Sequence, residues 1–367
     1  MARAIKLAAQ GRYTTSPNPR VGCVIVNDNK IVGEGFHIIA GQEHAEVHAL
    51  NEAGDAAKGA TAYVTLEPCS HFGRTPPCAL ALIKSGVSKV ICAMTDPSPH
   101  VAGQGFELLA EAGITVEVGL LADEAAALNK GYIQRVATGK PLIRCKLAAS
   151  LDGKTAMANG ESQWITSKAA RQDVQRLRAA SCAVITSAVS VIRDNARMTV
   201  RAEELFAGKE SNHYPSSTIR QPLRVIIDNH NRLTPESPLF SEQSPILIIR
   251  SKIDDTNQWP EFVEQITVPL ASDGTYLCLV SVVELLANRG LNELLVEAGN
   301  HLAGAFIEQK LVDELVLYQA PKLLGSTAMS LVNMPGIQHL KDAVELDVTD
   351  VRQVGTDIRI NAKIKEK

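Results

Sequence analysis

Two short segments hold the residues best suited to chemistry. His44-Ala45-Glu46 is the first, and Pro68-Cys69, followed after eight intervening residues by Cys78, is the second. One imidazole and two thiolates provide three zinc ligands, and a zinc site with three protein ligands keeps a fourth position for water. Glu46 is not needed as a ligand. The sequence therefore predicts a Zn²⁺ site at His44, Cys69 and Cys78 for metal-assisted hydrolysis, with Glu46 as the group that moves protons.

Each half of this motif is weak evidence by itself, and a structural zinc site or cysteines that only pack are the alternatives. The two halves together follow the H-x-E…P-C…C order of zinc nucleobase deaminases, in which the glutamate moves protons. His48 lies one helical turn after His44, as in H-E-x-x-H proteases, but Glu46 follows His44 by two residues instead of one. We interpret His48 as a residue on the helix surface, or as one that contacts the metal ligands without binding the metal itself.

Length and composition predict a globular protein of two domains. The 367 residues exceed what one hydrophobic core usually accommodates, and 45% apolar with 21% charged residues is ordinary for a globular chain. The net charge is −3 and only 4% of the residues are aromatic. A nucleic-acid-binding surface needs clustered basic and aromatic side chains, so we expect no nucleic-acid partner.

Cysteine usage and the N-terminal segment bear on location. The chain has seven cysteines, an odd number, and they are scattered along the sequence, which argues against a disulfide framework. The first apolar run contains Arg3 and Lys6, unlike a secretory signal, and no apolar stretch approaches the roughly 20 residues that span a bilayer. We expect no membrane association and a cytoplasmic location.

Strand and helix patterns alternate along the whole chain, which predicts an α/β fold with helices on both faces of a sheet. The zinc motif falls where loops enter helices, one starting at His44 and one near Cys78. A further helix is predicted over 124–135. Gly139 and Pro141 interrupt the pattern, so we expect two domains, 1–139 and 140–367.

Longer segments resemble a known family. In the first domain they are SPNPRVG at 16–22, GEGFH at 33–37, HAE at 44–46, TLEPCSH at 65–71 and GRTPPC at 73–78; in the second they are KLAASLDGK at 146–154, GESQWIT at 160–166 and VEAG at 296–299. With the eight-residue gap between the cysteines, these segments resemble the bifunctional deaminase–reductase of riboflavin biosynthesis. The resemblance covers almost the whole chain.

The resemblance implies a fold and an activity for each domain. The N-terminal domain would be a cytidine-deaminase-like three-layer α/β/α domain, and the C-terminal domain a dihydrofolate-reductase-like α/β domain. The first would hydrolyse the 2-amino group of a phosphorylated diaminopyrimidinone, and the second would use NADPH to reduce the ribosyl chain to ribityl. The partner is then a small phosphorylated pyrimidine, and we expect a homo-oligomer.

The resemblance also implies roles for individual residues. In the first domain His44, Cys69 and Cys78 would bind zinc with Glu46 as proton shuttle, and Asn18, His71 and Arg74 would bind the substrate. In the second domain the residues implied at the substrate are Lys154, Ser162, Arg178, Met198, Arg201 and Glu297. The residues implied at the cofactor are Ala148, Trp164, Ser190, Asp194, Asn229, Gly299, Asn300, His301, Leu302, Ala303, Gly304 and Ala305.

Physical arguments support some of these reductase roles. Gly299 lets backbone N–H groups approach a ligand, and a helix that starts at Asn300 directs its positive end at an anion. Arg178 and Arg201 are suited to a bidentate grip on a phosphate. Lys154 is the candidate for helping to open the ribose ring.

Several alternatives remain open from sequence. Trp164 is also explained as a core residue, Arg201 as a solvated charge and Glu297 as a helix cap. The chain reads Asn195-Ala196-Arg197 where the family usually has Asp-Pro. The alternative function is a pyrimidine or nucleic-acid deaminase fused to a non-catalytic binding or assembly domain.

Overall fold

The computed structural model describes residues 1–72, 76–99, 101–206 and 219–365. Arg74, predicted at the substrate, lies outside these ranges. The chain forms two compact units, one that contains Met1–Lys140 and one that begins at Pro141. No helix among the described residues has both the length and the apolar character needed to cross a bilayer.

The first unit is built on a five-stranded sheet with the order β2-β1-β3-β4-β5. Its strands are β1 (Gly22–Asn27), β2 (Lys30–Phe36), β3 (Thr61–Val64), β4 (Lys89–Cys92) and β5 (Thr115–Val118). β2, β1 and β3 are antiparallel neighbours, whereas β3, β4 and β5 are parallel. Asp28 and Asn29 form the hairpin turn at φ 49° and 60°, a conformation that these two residue types tolerate well.

The helices of the first unit are α1 (Ala2–Ala8), α2 (Ala45–Ala53), α3 (Cys78–Ser85), α4 (Gln104–Glu111), α5 (Ala122–Leu128) and α6 (Lys130–Thr138). α2 packs directly on β2 because glycines face it. A Cβ at Gly33 would lie 2.1 Å from the carbonyl oxygen of Ala49, and one at Gly35 would lie 2.4 Å from that of Ala45. This close packing fixes the position of His44, which precedes α2.

The single helix expected over 124–135 is wrong, because Asn129 separates α5 from α6. The Asn129 side chain accepts a hydrogen bond from the Arg20 backbone N–H at 2.8 Å and donates one to the Arg20 carbonyl at 2.9 Å. The Arg20 guanidinium also donates to the carbonyl of Leu128. Contacts with a distant segment therefore hold Asn129 out of helical geometry.

The second unit contains a nine-stranded sheet with the order β11-β10-β9-β8-β12-β6-β13-β16-β15. Its strands are β6 (Leu142–Ser150), β8 (Ala183–Ser187), β9 (Leu223–Ile227), β10 (Ile246–Arg250), β11 (Val263–Thr267), β12 (Glu293–Val296), β13 (Glu314–Ala320), β15 (Leu346–Val354) and β16 (Asp357–Ile364). The strands from β11 to β13 are parallel, and β16 and β15 are antiparallel. β7 (Lys154–Ala156) and β14 (Met329–Ser330) form a separate ribbon.

Helices cover both faces of this sheet: α7 (Lys168–Ala180), α8 (Ala188–Asp194), α9 (Ala202–Leu205), α10 (Leu279–Asn288) and α11 (Asn300–Glu308). Alternate residues of β12 belong to different apolar clusters, Leu295 to one and Leu294 and Val296 to the other. The predicted α/β class is therefore confirmed. Because the central strands are parallel, their carboxyl ends share one edge, where α/β proteins usually bind ligands.

Candidate active sites

The three predicted metal ligands meet in the first unit. His44 precedes α2, Cys69 follows β3, and Cys78 is the first residue of α3. His44 Nδ1 lies 3.2 Å from Cys78 Sγ and 3.6 Å from Cys69 Sγ, and the three ligand atoms lie within 4.8 Å of one another. Tetrahedral zinc with ligands at 2.0–2.3 Å separates its ligand atoms by about 3.5 Å. The donor types and their spacing therefore fit zinc.

Electrostatics at this centre favour a thiolate. Hydrogen bonds from the Cys78 side chain, from His44 and from the Cys78 backbone N–H lower the pKa of Cys69 to about 4. The backbone bond, 3.3 Å long, comes from the first residue of α3. Zinc binds cysteine only in its deprotonated form.

Glu46 lies in the first turn of α2 with only 3% of its surface exposed. Among the described residues its Oε2 atom has no hydrogen-bond partner. Burial, reinforced by the neighbouring Cys69, raises the pKa of Glu46 to about 7. A buried carboxylate with a free oxygen and such a pKa can take up and release a proton near neutral pH.

Asn18 is linked to the metal ligands through a residue that the site prediction did not include. Its Nδ2 atom lies 3.1 Å from Nε2 of His37, whose Nδ1 lies 3.0 Å from the Glu43 carbonyl. The buried His37 ring packs edge-on against His44 with centroids 5.1 Å apart. His37 is the last residue of the GEGFH segment, one of the segments that resemble the family, so this segment could have indicated a role for His37 at the site. His71 is exposed in the loop after Cys69.

The second unit holds a cavity of about 1300 Å³ at the carboxyl edge of its parallel strands. The predicted residues that line it are Ala148, Ser162, Trp164, Arg178, Ser190, Asp194, Met198, Arg201, Asn229, Glu297, Gly299, Asn300, His301, Leu302 and Ala305. Three other predicted residues, Lys154, Ala303 and Gly304, do not line the cavity. Ala303 is fully buried in the core, and a Cβ on Gly304 would lie 2.1 Å from the Asn333 carbonyl oxygen. These two residues pack α11 against the protein.

The two arginines expected to grip a phosphate are already paired. Arg178 donates from Nε to Oε1 of Glu297 at 2.7 Å and from Nη2 to Oε2 at 3.1 Å. Arg201 makes a similar pair with Glu204, at 2.8 and 2.9 Å. The structure therefore shows two guanidinium–carboxylate pairs where the sequence predicted a phosphate grip.

Lys146 is a cavity residue that the prediction missed. Burial lowers the pKa of Lys146, and the negative charge of Glu297 opposes that effect. Lys146 precedes Ala148 by two residues on β6, so both side chains point to the same face of the sheet. Because Ala148 was predicted at the cofactor, this two-residue spacing could have indicated that Lys146 faces the same cavity.

The start of α11 fits an anionic group. Gly299 precedes the helix, and its N–H donates to Ser190 Oγ at 3.3 Å. The next N–H groups of α11 begin a helix whose positive end suits a diphosphate. Together with the cavity volume, this arrangement fits a dinucleotide.

The departure at 195–197 lies at the cavity wall. Asn195 ends α8 in the left-handed region at φ 48°, which asparagine tolerates. Arg197 directs its guanidinium to Glu242 at 3.4 Å. The positive charge that Arg197 adds to the cavity wall is therefore paired with the carboxylate of Glu242.

Comparisons with known proteins match both units. Residues 141–360 match the RibD C-terminal domain, and residues 1–94 match the cytidine and deoxycytidylate deaminase zinc-binding region. The riboflavin biosynthesis protein RibD of Escherichia coli (strain K12) is 52% identical, over 98% of this chain and 96% of that protein. The chain belongs to the RibD family. The RibD protein of Haemophilus influenzae is 49% identical, over 98% of this chain and 95% of its own length.

Solved RibD structures have the same fold. Acinetobacter baumannii RibD, form 1, superposes with a TM-score of 0.89 at 42% identity, over 100% of this chain and 98% of that one. A diaminohydroxyphosphoribosylaminopyrimidine deaminase/5-amino-6-(5-phosphoribosylamino)uracil reductase from Thermotoga maritima gives 0.84 at 31% identity, over 100% and 97%.

RibD membership confirms the resemblance and the predicted fold of each half. The chain is a bifunctional enzyme of riboflavin biosynthesis with a zinc-dependent deaminase and a reductase that uses NADPH. The alternative, a deaminase fused to a non-catalytic domain, is not favoured.

Proposed function

We propose that the first unit hydrolyses the 2-amino group of 2,5-diamino-6-(5-phosphoribosylamino)pyrimidin-4-one, and that the second reduces the ribosyl chain of the product to ribityl. The convergence of His44, Cys69 and Cys78 beside the buried Glu46 is the observation that carries this proposal. We assign the deaminase to 1–139 and the reductase to 140–367. A homo-oligomer in the cytoplasm completes the proposal.

In the deaminase, Glu46 does the proton work. A bound zinc ion lowers the pKa of a water molecule to about 7, so that hydroxide is available at neutral pH. Glu46 accepts the proton of the attacking water through its free Oε2 and delivers it to the departing amino group, which leaves as ammonia. Asn18, held by His37, orients the pyrimidine. His71, together with Arg74, binds the sugar phosphate.

In the reductase, the chain must hold the sugar and supply a proton. NADPH, when bound, would supply the hydride that reduces the anomeric carbon. As the ribose opens, its ring oxygen needs a proton, and among the described residues Lys146 brings an ammonium group into the cavity. We assign this role to Lys146 instead of Lys154, because Lys154 lies on β7 and does not line the cavity. The buried Arg178–Glu297 pair fixes the substrate wall.

Lys146→Met tests this assignment. We expect reduction of the deaminated product to slow by about 100-fold, a typical effect of losing a general acid, with ammonia release unchanged. Lys154→Met is the matched control and should retain activity within about twofold. Stopped-flow measurement of NADPH oxidation with the purified deamination product gives the rates. A larger loss in Lys154→Met than in Lys146→Met would return the role to Lys154.

Zinc removal tests the division of labour between the units. The purified protein is given the diaminopyrimidinone substrate and NADPH before and after chelation. We expect chelation to abolish ammonia release and added Zn²⁺ to restore it, because a deaminase without its metal lacks the nucleophile. NADPH oxidation with the deaminated product should not change. Ammonia release that resists complete zinc removal would contradict the proposal, and ammonia release without NADPH consumption would favour a non-catalytic second domain.

A further inference from the structure

We propose that His230 and Arg232 recognise the 2′-phosphate of NADPH and make the second unit select NADPH over NADH. The inference rests on the proposed reductase function and assigns a specificity role within it. Both side chains line the rim of the cavity and are exposed. Both belong to the loop that follows β9.

The strand order shows which part of a dinucleotide reaches this loop. Lys146 on β6 and Glu297 after β12 mark the substrate end, and α11 starts directly after β12. From β12 the sheet continues through β8 to β9, so β9 lies about 10 Å away at a strand spacing of about 4.8 Å. A dinucleotide with its nicotinamide beside the substrate and its diphosphate at α11 would extend its adenosine over β8 towards β9.

The loop after β9 has a fixed backbone. The buried carboxylate of Asp228 accepts hydrogen bonds from the backbone N–H groups of Arg232 at 2.9 Å and Leu233 at 3.1 Å. The fully buried Arg250 donates to the same carboxylate at 2.9 Å. The Asn229 side chain donates a hydrogen bond to the Thr275 carbonyl at 2.8 Å and so connects this loop to the segment between β11 and α10. The two basic side chains therefore project from a preorganised base.

The charges at this rim suit a dianion. In the part of the chain that the structure describes, the side chains of His230 and Arg232 make no hydrogen bond or ion pair. Asp273 also lines the cavity, and its carboxylate is held by its own turn, because Oδ1 accepts hydrogen bonds from the backbone N–H groups of Thr275 and Tyr276 at 2.8 and 3.3 Å. A guanidinium binds phosphate through two parallel N–H donors, and an imidazole adds a third.

Arg193 is the rival for this role, because it also lines the cavity. Its guanidinium packs on Gly160, where a Cβ would lie 3.1 Å from Arg193 Cζ. Gly160 belongs to the segment that follows β7, not to the loop that follows β9. Arg193 is therefore held against a different segment from the loop that carries His230 and Arg232, and its substitution separates the two assignments.

The test is direct binding of NADPH and NADH to the purified full-length protein by calorimetry. We compare Arg232→Gln, His230→Asn, the double variant and Arg193→Gln. Lys252→Gln is the matched control, because this exposed lysine follows β10 and does not line the cavity. Adenosine 2′,5′-bisphosphate and AMP serve as probes of the adenosine end alone.

We expect Arg232→Gln to weaken NADPH about tenfold and the double variant about 30-fold or more, consistent with the loss of charge-assisted bonds to phosphate. NADH affinity should stay within about twofold, which also shows that the variants are folded. The bisphosphate should lose affinity in parallel with NADPH, and AMP should not. Lys252→Gln should bind both cofactors like the wild type.

Three results would overturn the inference: unchanged NADPH preference in the double variant, equal losses for NADPH and NADH, or a selective NADPH loss confined to Arg193→Gln. Failure of the proposed function looks different. In that case the wild-type protein itself would bind neither nicotinamide cofactor.

Discussion

Ammonia release should fall by about 1,000-fold or more in Glu46→Gln, within the range typical of losing a general acid–base group. The amide has nearly the shape of the carboxylate, but it cannot accept a proton from water or return one to the leaving amine. Glu46 is buried, and its pKa of about 7 matches that exchange. The zinc ligands are untouched, so metal analysis should find the same zinc content as in the wild type.

Glu52→Gln is the matched control for this prediction. It removes the same charge from the same helix, but Glu52 is exposed near the end of α2 and caps the Glu34 backbone N–H. Its ammonia release should stay within about twofold of wild type. NADPH-dependent reduction of the deaminated product should be normal in both variants. If Glu46→Gln kept a tenth of the wild-type rate, or lost both activities equally, Glu46 would not be the proton shuttle of a separate site.

The zinc centre could be predicted from the sequence because two of its three ligands, His44 and Cys78, lie at helix starts that local residues define. His44 precedes a helix, and Pro77 immediately before Cys78 suits a helix start. The β1–β2 turn follows the same rule, since Asp28 and Asn29 favour its positive φ angles by residue type. Where local chemistry specifies the backbone, spacing along the chain is enough to place a side chain.

The reductase cavity depends instead on contacts between distant residues. The pairing of Arg178 with Glu297 joins residues 119 positions apart and occupies the guanidinium that was expected to meet a phosphate. Asn129 leaves its helix because of Arg20, which is 109 positions away. Lys146 could be predicted only by knowing which face of β6 borders the cavity. Residue type alone does not determine such partners, because they follow from the order of strands in the folded sheet.

The Arg178–Glu297 pair carries the second large prediction. The two side chains are only 13% and 8% exposed and share two hydrogen bonds. Burial would raise the pKa of Glu297, but Arg178 outweighs that effect and lowers it, so both groups are charged. Glu297→Gln leaves the Arg178 charge buried beside Lys146. We expect the free energy of unfolding of the second unit to fall by about 3–5 kcal/mol.

Urea denaturation followed by tryptophan fluorescence measures this loss selectively, because both tryptophans, Trp164 and Trp259, lie in the second unit. The exposed Arg289–Glu264 pair is the control, and Glu264→Gln should cost at most about 1 kcal/mol.

The double variant Arg178→Met/Glu297→Leu separates folding from function. Apolar side chains of similar volume remove both buried charges together, so stability should return to within about 1 kcal/mol of wild type or exceed it. Reduction of the deaminated product should be abolished in this double variant, because the polar wall that we assign to the substrate is gone. A double variant as unstable as Glu297→Gln would show that the pair's packing, not its charge balance, holds this part of the fold. Restored reduction would show that the pair serves only stability and would remove it from the substrate site.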